Sequence, residues 1–92
     1  MEIKKILAKN IRRLRLEKGM SQLELATQAD ITPGMVVDLE YGRANPKMKT
    51  LNKIAGVLDV PFYALFDEAN SQYPYLGELL YRQLELLLKK RP

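Results

Sequence analysis

The apolar residues of this chain recur at helical spacing, and two of the predicted helices are separated by only two or three residues. One side of the first helix, from about residue 3 to residue 18, carries Ile3, Leu7, Ile11 and Leu14. No stretch alternates apolar and polar residues in the manner of a half-buried strand. The sequence therefore predicts an all-α fold in which the second and third helices turn sharply against each other.

Start and stop signals place these two helices on either side of the short gap. Ser21 and Glu24 have the spacing of a capping box, which begins the second helix. Thr32 suits the N-cap of the third helix and Pro33 its first turn, whereas Gly42 suits the left-handed position that ends it. The side chains expected to face inward from this pair are Leu25, Ala26, Ala29, Val36 and Leu39.

Two more helices are predicted before residue 66. Asn45-Pro46 is expected to begin a fourth helix, and Val60-Pro61 a short fifth helix that ends near Phe66. Their predicted inward faces carry Met48, Leu51, Ile54, Ala55 and Leu58 on the fourth helix and Phe62 and Leu65 on the fifth. Residues 1–66 are thus expected to form one compact domain, which suits a chain of 92 residues.

Leucines crowd the end of the chain. Residues 67–73 are predicted to be a polar linker, and residues 74–92 a leucine-rich helix that begins at Pro74. A wide apolar face of this kind commonly marks an interface, so we expect this helix to form a homodimer. Alternatively, it folds back over its own domain. The predicted dimerisation residues are Tyr75, Leu76, Leu79, Leu80, Leu84 and Leu87.

Composition narrows the function. The chain has no cysteine and no histidine, which removes thiolate chemistry, the commonest general base and the commonest transition-metal ligands. We therefore expect no enzyme activity, no cofactor and no metal site. Residues 1–66 contain 11 Lys and Arg against 7 Asp and Glu, so the whole excess of +4 lies there and favours an anionic partner such as nucleic acid. With no signal peptide or membrane-spanning run in the sequence, a cytoplasmic location without membrane contact is expected.

Three segments within residues 11–66 read IRRLRLEKGMSQLELA, ITPGMVVDLEYGRANP and LNKIAGVLDV. Their joint pattern is S-Q-x-x-L-A, then E-x-G with a proline four residues later, and then A-x-x-L-x-V. With this pattern residues 11–66, about three fifths of the chain, resemble the Cro/lambda-repressor-type (XRE) helix-turn-helix family. The resemblance implies a five-helix lambda-repressor-like DNA-binding domain, followed here by the leucine-rich helix. It also implies that the third helix enters the major groove and that paired subunits bind a two-fold symmetric operator.

The same resemblance assigns roles to individual residues. Gln22 matches a glutamine that contacts the phosphate backbone, and Thr32 matches a capping residue that often contacts phosphate or base. Arg15 and Glu40 match a pair that ties the first helix to the end of the third, and they are interpreted as structural. Further phosphate contacts are expected from Arg43, Asn45 and Lys47 and from Arg12, with Arg13 as its neighbour.

The third helix departs from the family pattern at the positions that usually contact bases. Pro33 and Gly34 have no side chain able to hydrogen-bond a base edge, Met35 suits a thymine methyl, and Asp38 suits a cytosine amine but repels phosphate. From Gly19 to Gly42 there is no Lys or Arg against four acids. Weak direct readout of bases, with more reliance on phosphate contacts and DNA shape, is therefore expected.

Two functions remain open on this basis. The first is a sequence-specific transcriptional regulator, by preference a repressor, that binds double-stranded DNA as a homodimer. The second is a protein-binding module on the same fold, an antitoxin or an adaptor, with weak or indirect DNA readout. The apolar start of the third helix and the leucine-rich helix favour a protein partner, whereas the basic excess in residues 1–66 favours DNA.

Overall fold

Four α-helices and one short 3-10 helix make up the described part of the chain, which in this computed structural model is residues 3–67 and Leu86. The α-helices are α1 (Ile3–Glu17), α2 (Gln22–Ala29), α3 (Pro33–Glu40) and α4 (Met48–Leu58), and the 3-10 helix is Phe62–Phe66. No strand occurs among these residues, so the all-α prediction is confirmed. Of the predicted linker and C-terminal helix only Asp67 and Leu86 are described, and all the predicted dimerisation residues lie outside the described residues.

Local hydrogen bonds set the ends of the two central helices as the sequence predicts. The Ser21 hydroxyl accepts from the Glu24 amide at 3.0 Å, and the Glu24 carboxylate accepts from the Ser21 amide at 3.1 Å, which completes the capping box. The Thr32 hydroxyl accepts from the Met35 amide at 3.1 Å at the start of α3. Gly42 adopts a left-handed conformation, with φ of +71°, just after α3. The helix-turn-helix boundaries thus follow from short-range chemistry.

One apolar core joins all five helices. The inward faces predicted for α2 and α3 are buried, as are Leu51, Ile54, Ala55, Leu58 and Leu65. From α1 the core receives Leu7 and Ile11, with Leu14 packed partly buried at its edge. Within this core α1 and α2 both pack against α3, and these contacts fix the orientation of α3.

Two residues expected on inward faces are exposed instead. Ile3 is 65% exposed and Met48 is 63% exposed. Each occupies the first residue of its helix, where the apolar stripe runs past the edge of the core. The inward placement of Met48 and Ile3 is therefore wrong, although the stripes that contain them are buried further along.

The start of α4 also differs from the prediction. Asn45 and Pro46 lie in an irregular segment, and α4 begins only at Met48. Lys47 is the N-cap residue in an extended conformation (φ −76°, ψ 156°), and its side chain makes no capping hydrogen bond. The segment between α3 and α4 is consequently longer than predicted, and it carries Arg43, Asn45 and Lys47 outside any helix.

The buried side-chain amide of Asn10 links α1 to the end of the 3-10 helix. The Asn10 side chain is 3% exposed, and its Nδ2 donates to the carbonyl oxygens of Leu65 at 2.9 Å and Asp67 at 2.6 Å. These bonds tie α1 to the end of the 3-10 helix across more than 50 residues of sequence. Asn10 was not singled out from the sequence, because its partners are backbone groups of a distant segment.

Candidate nucleic-acid interface

The outer face of α3 is open over its first turn. Thr32, Pro33 and Gly34 are exposed, and a side chain at Gly34 would meet nothing within 4 Å. Met35 is only half-buried, because part of its side chain packs against the core. One turn later, Asp38 is exposed on the same helix. The four residues at base-contacting positions, Pro33, Gly34, Met35 and Asp38, are thus accessible in full or in part. Of these four side chains, Asp38 alone can form a strong hydrogen bond.

A buried ion pair holds the far end of α3. Arg15 donates from Nε to Glu40 Oε2 at 2.6 Å and from Nη2 to Glu40 Oε1 at 2.9 Å, while its Nη1 donates to the Met20 carbonyl at 2.7 Å. The two side chains are 9% and 3% exposed. The hydrogen bond to Glu40 outweighs the loss of solvation and raises the pKa of Arg15, so its guanidinium stays protonated. This geometry gives Arg15 and Glu40 a structural role.

Gln22 joins this ion pair. Its Nε2 donates to Glu40 Oε1 at 3.1 Å, and its side chain is half-buried. The first residue of α2 is thereby linked to the last residue of α3, which restrains the angle between the two helices. The sequence contained no signal for this bond, since 18 residues separate the partners.

An exposed cluster lies where α3 ends. Arg43 Nη2 donates to Asp38 Oδ1 at 3.1 Å, and the Arg43 guanidinium carbon lies 4.8 Å from the centre of the Tyr41 ring. Tyr41 itself is 69% exposed. Neither the ion pair nor the role of Tyr41 was predicted, because both depend on the reversal of the chain at Gly42.

The remaining predicted phosphate contacts are spread over two segments. Asn45 and Lys47 are exposed in the irregular segment before α4, and Arg12 is exposed on α1. Arg13 instead donates to Glu17 at 3.1 Å and, through Nη2, to Asn10 Oδ1 at 3.5 Å. Because Asn10 bonds the end of the 3-10 helix, Arg13 lies on that side of α1.

The negative charge of the segment from Gly19 to Gly42 is largely compensated in the structure. Glu40 faces Arg15 and Asp38 faces Arg43, while Asp30 lies 3.9 Å from Lys53. All three cations come from outside the segment, and the fourth acid, Glu24, belongs to the capping box. The segment therefore repels an anion less than its formal charge implies.

The described residues contain neither a membrane-spanning helix nor a metal-binding group of side chains. Within residues 3–67 no helix is long and apolar enough to cross a bilayer. Over the same range, no group of three or more acidic side chains is arranged to hold a metal ion.

Comparison with known proteins agrees with this geometry. A helix-turn-helix family model, HTH_3, matches residues 11–65. An uncharacterised HTH-type transcriptional regulator of Sinorhizobium fredii, y4dJ, is 37% identical over 60 residues, which is 65% of this chain and 78% of the relative. The regulator SinR of Bacillus subtilis is 33% identical over 75 residues, or 80% of this chain and 67% of SinR. The immunity repressor of Bacillus phage phi105 is 33% identical over 58 residues, but only 40% of that repressor is covered.

Solved structures show the same fold. A hypothetical transcription factor from Neisseria has a TM-score of 0.72 and 29% identity, over 92% of this chain and 85% of that one. SinR in its complex with SinI has a TM-score of 0.66 and 31% identity, over 86% of this chain and 78% of that one. The family match spans more than half of the sequence and includes α2, α3 and the segment after them. The chain therefore belongs to the HTH_3 helix-turn-helix family, that of the Cro/lambda-repressor-type (XRE) transcriptional regulators.

Proposed function

We propose that this protein is a sequence-specific DNA-binding regulator, acting as a repressor, that places α3 in the major groove of a two-fold symmetric operator. One observation carries the proposal. The Arg15–Glu40–Gln22 network holds α3 firmly against α1 and α2, while its first turn stays exposed and Arg43 and Lys47 follow just beyond its end. A rigid, accessible helix of this size fits the width of the major groove. No catalytic step is needed, and the proposed role implies a cytoplasmic location.

In the proposed complex, most of the affinity comes from phosphates and little from bases. Arg43, Asn45 and Lys47 would contact the backbone beside α3, with Gln22 and Arg12 on the side of α2 and α1. Thr32 uses its hydroxyl oxygen to cap α3, which leaves the hydroxyl hydrogen for an acceptor on DNA. Since Pro33, Gly34 and Met35 offer no hydrogen-bonding side-chain group, local DNA shape would supply much of the selectivity.

The variant Gln22→Ala/Arg43→Ala is expected to weaken binding to the operator, because it removes contacts to the phosphate backbone that position the protein. The slope of log affinity against log salt should become shallower by about 1 for the lost Arg43 contact. Fluorescence anisotropy with an operator duplex, selected with the wild type from a random pool, measures both quantities over a range of salt concentrations.

A control of the same residue types is Gln28→Ala/Arg13→Ala, at two exposed positions that have no part in the proposed DNA-binding face. This control should bind as the wild type does. If the two double variants lose affinity equally, the proposed DNA-binding face is wrong.

We further propose that residues 74–92 bring two copies together, so that two weak half-site contacts add up through effective concentration. The leucine-rich sequence of this segment supports the proposal, because a wide apolar face commonly marks an interface. Leu80→Glu/Leu84→Glu should convert the dimer into a monomer, because two carboxylates cannot be buried in an apolar interface.

Light scattering of the purified protein measures the molecular mass of the variant directly. Gln83→Glu is the control, because it adds a charge to the same segment at a residue outside the predicted dimerisation set. A dimer that persists in the Leu80→Glu/Leu84→Glu variant would contradict the proposed interface. A wild-type chain that is already a monomer would instead favour a helix that folds back over its own domain.

A protein-binding module, such as an antitoxin or an adaptor, is the second candidate. It is favoured by the solved complex of SinR with SinI, in which a relative of this chain is bound to another protein. Salt separates the two functions, since DNA affinity falls steeply with salt whereas an apolar protein complex survives it. If the protein does not bind duplex DNA at low salt, the second candidate is favoured.

A further inference from the structure

The three residues Asp38, Tyr41 and Arg43 form one exposed unit at the end of α3. The Arg43 side chain lies over the Tyr41 ring and donates to the Asp38 carboxylate at 3.1 Å. The ion-paired side chains of Arg43 and Asp38 are 62% and 52% exposed. Because Asp38 belongs to the outer face of α3 and Arg43 to the segment expected to meet phosphate, the unit connects base and backbone contacts.

Pairing with Asp38 changes what Arg43 offers to DNA. A phosphate approaching the pair meets a cation whose charge is already neutralised, so little counterion release follows from that contact. Conversely, moving Arg43 to a phosphate leaves the Asp38 carboxylate without a partner in the groove, where it repels the backbone. The two groups must therefore exchange partners together.

We propose that Asp38 is a specificity-determining residue that releases Arg43 to the phosphate backbone only where a cytosine amine replaces it. In the major groove cytosine presents only its N4 amine, which a carboxylate accepts, whereas adenine presents its N6 amine beside the N7 acceptor, which repels a carboxylate. At other base pairs Asp38 retains Arg43, and the complex has one phosphate contact fewer. This inference rests on the proposed DNA-binding function.

The test uses Asp38→Ala in the full chain, which removes the carboxylate from an exposed helical position and adds no hydrogen-bonding group. On a mixed-sequence duplex the variant should bind several-fold more tightly than the wild type at low salt. Its slope of log affinity against log salt should be steeper by about 0.9, the value for one additional phosphate. In selection from a random duplex pool, the wild type should enrich a C·G pair at one position of each half-site, and Asp38→Ala should lose that preference alone.

Two controls separate this exchange from a general effect of charge. Glu17→Ala removes the same charge from another exposed arginine–carboxylate pair of 3.1 Å, on α1, and should leave the slope unchanged. In an Arg43→Met background, Asp38→Ala should no longer steepen the slope, because the released cation is absent. An equal change of slope in Glu17→Ala, or in the Arg43→Met background, would overturn the proposal.

The outcomes also distinguish the two proposals from each other. If the wild type binds duplex DNA and Asp38→Ala alters neither slope nor selected sequence, the role of Asp38 is wrong and the regulator function stands. If the wild type does not bind duplex DNA even at low salt, the proposed function itself fails, and the role of Asp38 fails with it.

Discussion

Replacing Glu40 with alanine is expected to lower the free energy of unfolding by about 3–5 kcal/mol, because it leaves the buried Arg15 guanidinium without its counter-ion. Arg15 is 7% exposed, so water cannot substitute for the lost carboxylate. The Gln22 amide loses its acceptor in the same variant. Small domains are stable by about 5–15 kcal/mol in total, so a loss of this size is a large share of that stability. Urea denaturation followed by circular dichroism measures it.

Two further variants test the physical reason. Arg15→Met/Glu40→Leu removes both charges, and it should recover most of the stability lost in Glu40→Ala, because no uncompensated charge stays buried. Glu17→Ala breaks an exposed ion pair with Arg13 and should cost no more than about 0.5 kcal/mol. A loss below about 1 kcal/mol for Glu40→Ala would contradict a structural role for the pair.

Replacing Gly34 with glutamate is expected to reduce DNA affinity by about a hundredfold or more, since like charges placed together at an interface cost several kcal/mol. Gly34 is exposed in the first turn of α3, and a side chain there has free space. The fold should not suffer. Glutamate forms helices more readily than glycine, and a carboxylate near a helix N-terminus is favourable. The melting temperature should therefore stay equal to that of the wild type or rise.

Gly34→Gln is the matched control, because it has the same size and no charge. It should keep the stability of Gly34→Glu while losing much less DNA affinity, as measured by anisotropy at the same salt concentration. If Gly34→Glu binds DNA as tightly as Gly34→Gln, the first turn of α3 does not face DNA.

The positions of the helices around the central turn were predictable because their signals are local. Ser21 and Glu24 bond across three residues, and Thr32 caps its own helix in the same way. The apolar spacing likewise indicated which residues of α2 and α3 would be buried. Ile3 and Met48 were expected to face inward but are exposed, because the first turn of each helix extends beyond the core.

What the sequence by itself determined was thus the succession of helices in residues 3–66, the caps of α2 and α3 and most of the core, since each depends on neighbours within a turn or two. The tertiary structure decided which distant polar groups meet. Gln22 bonds Glu40 only because α2 and α3 cross at one angle, and Asn10 meets the carbonyl of Leu65 only because the 3-10 helix returns to α1. A side chain does not encode the partner that packing brings to it, and for that reason the network that holds α3 in place became visible only in three dimensions.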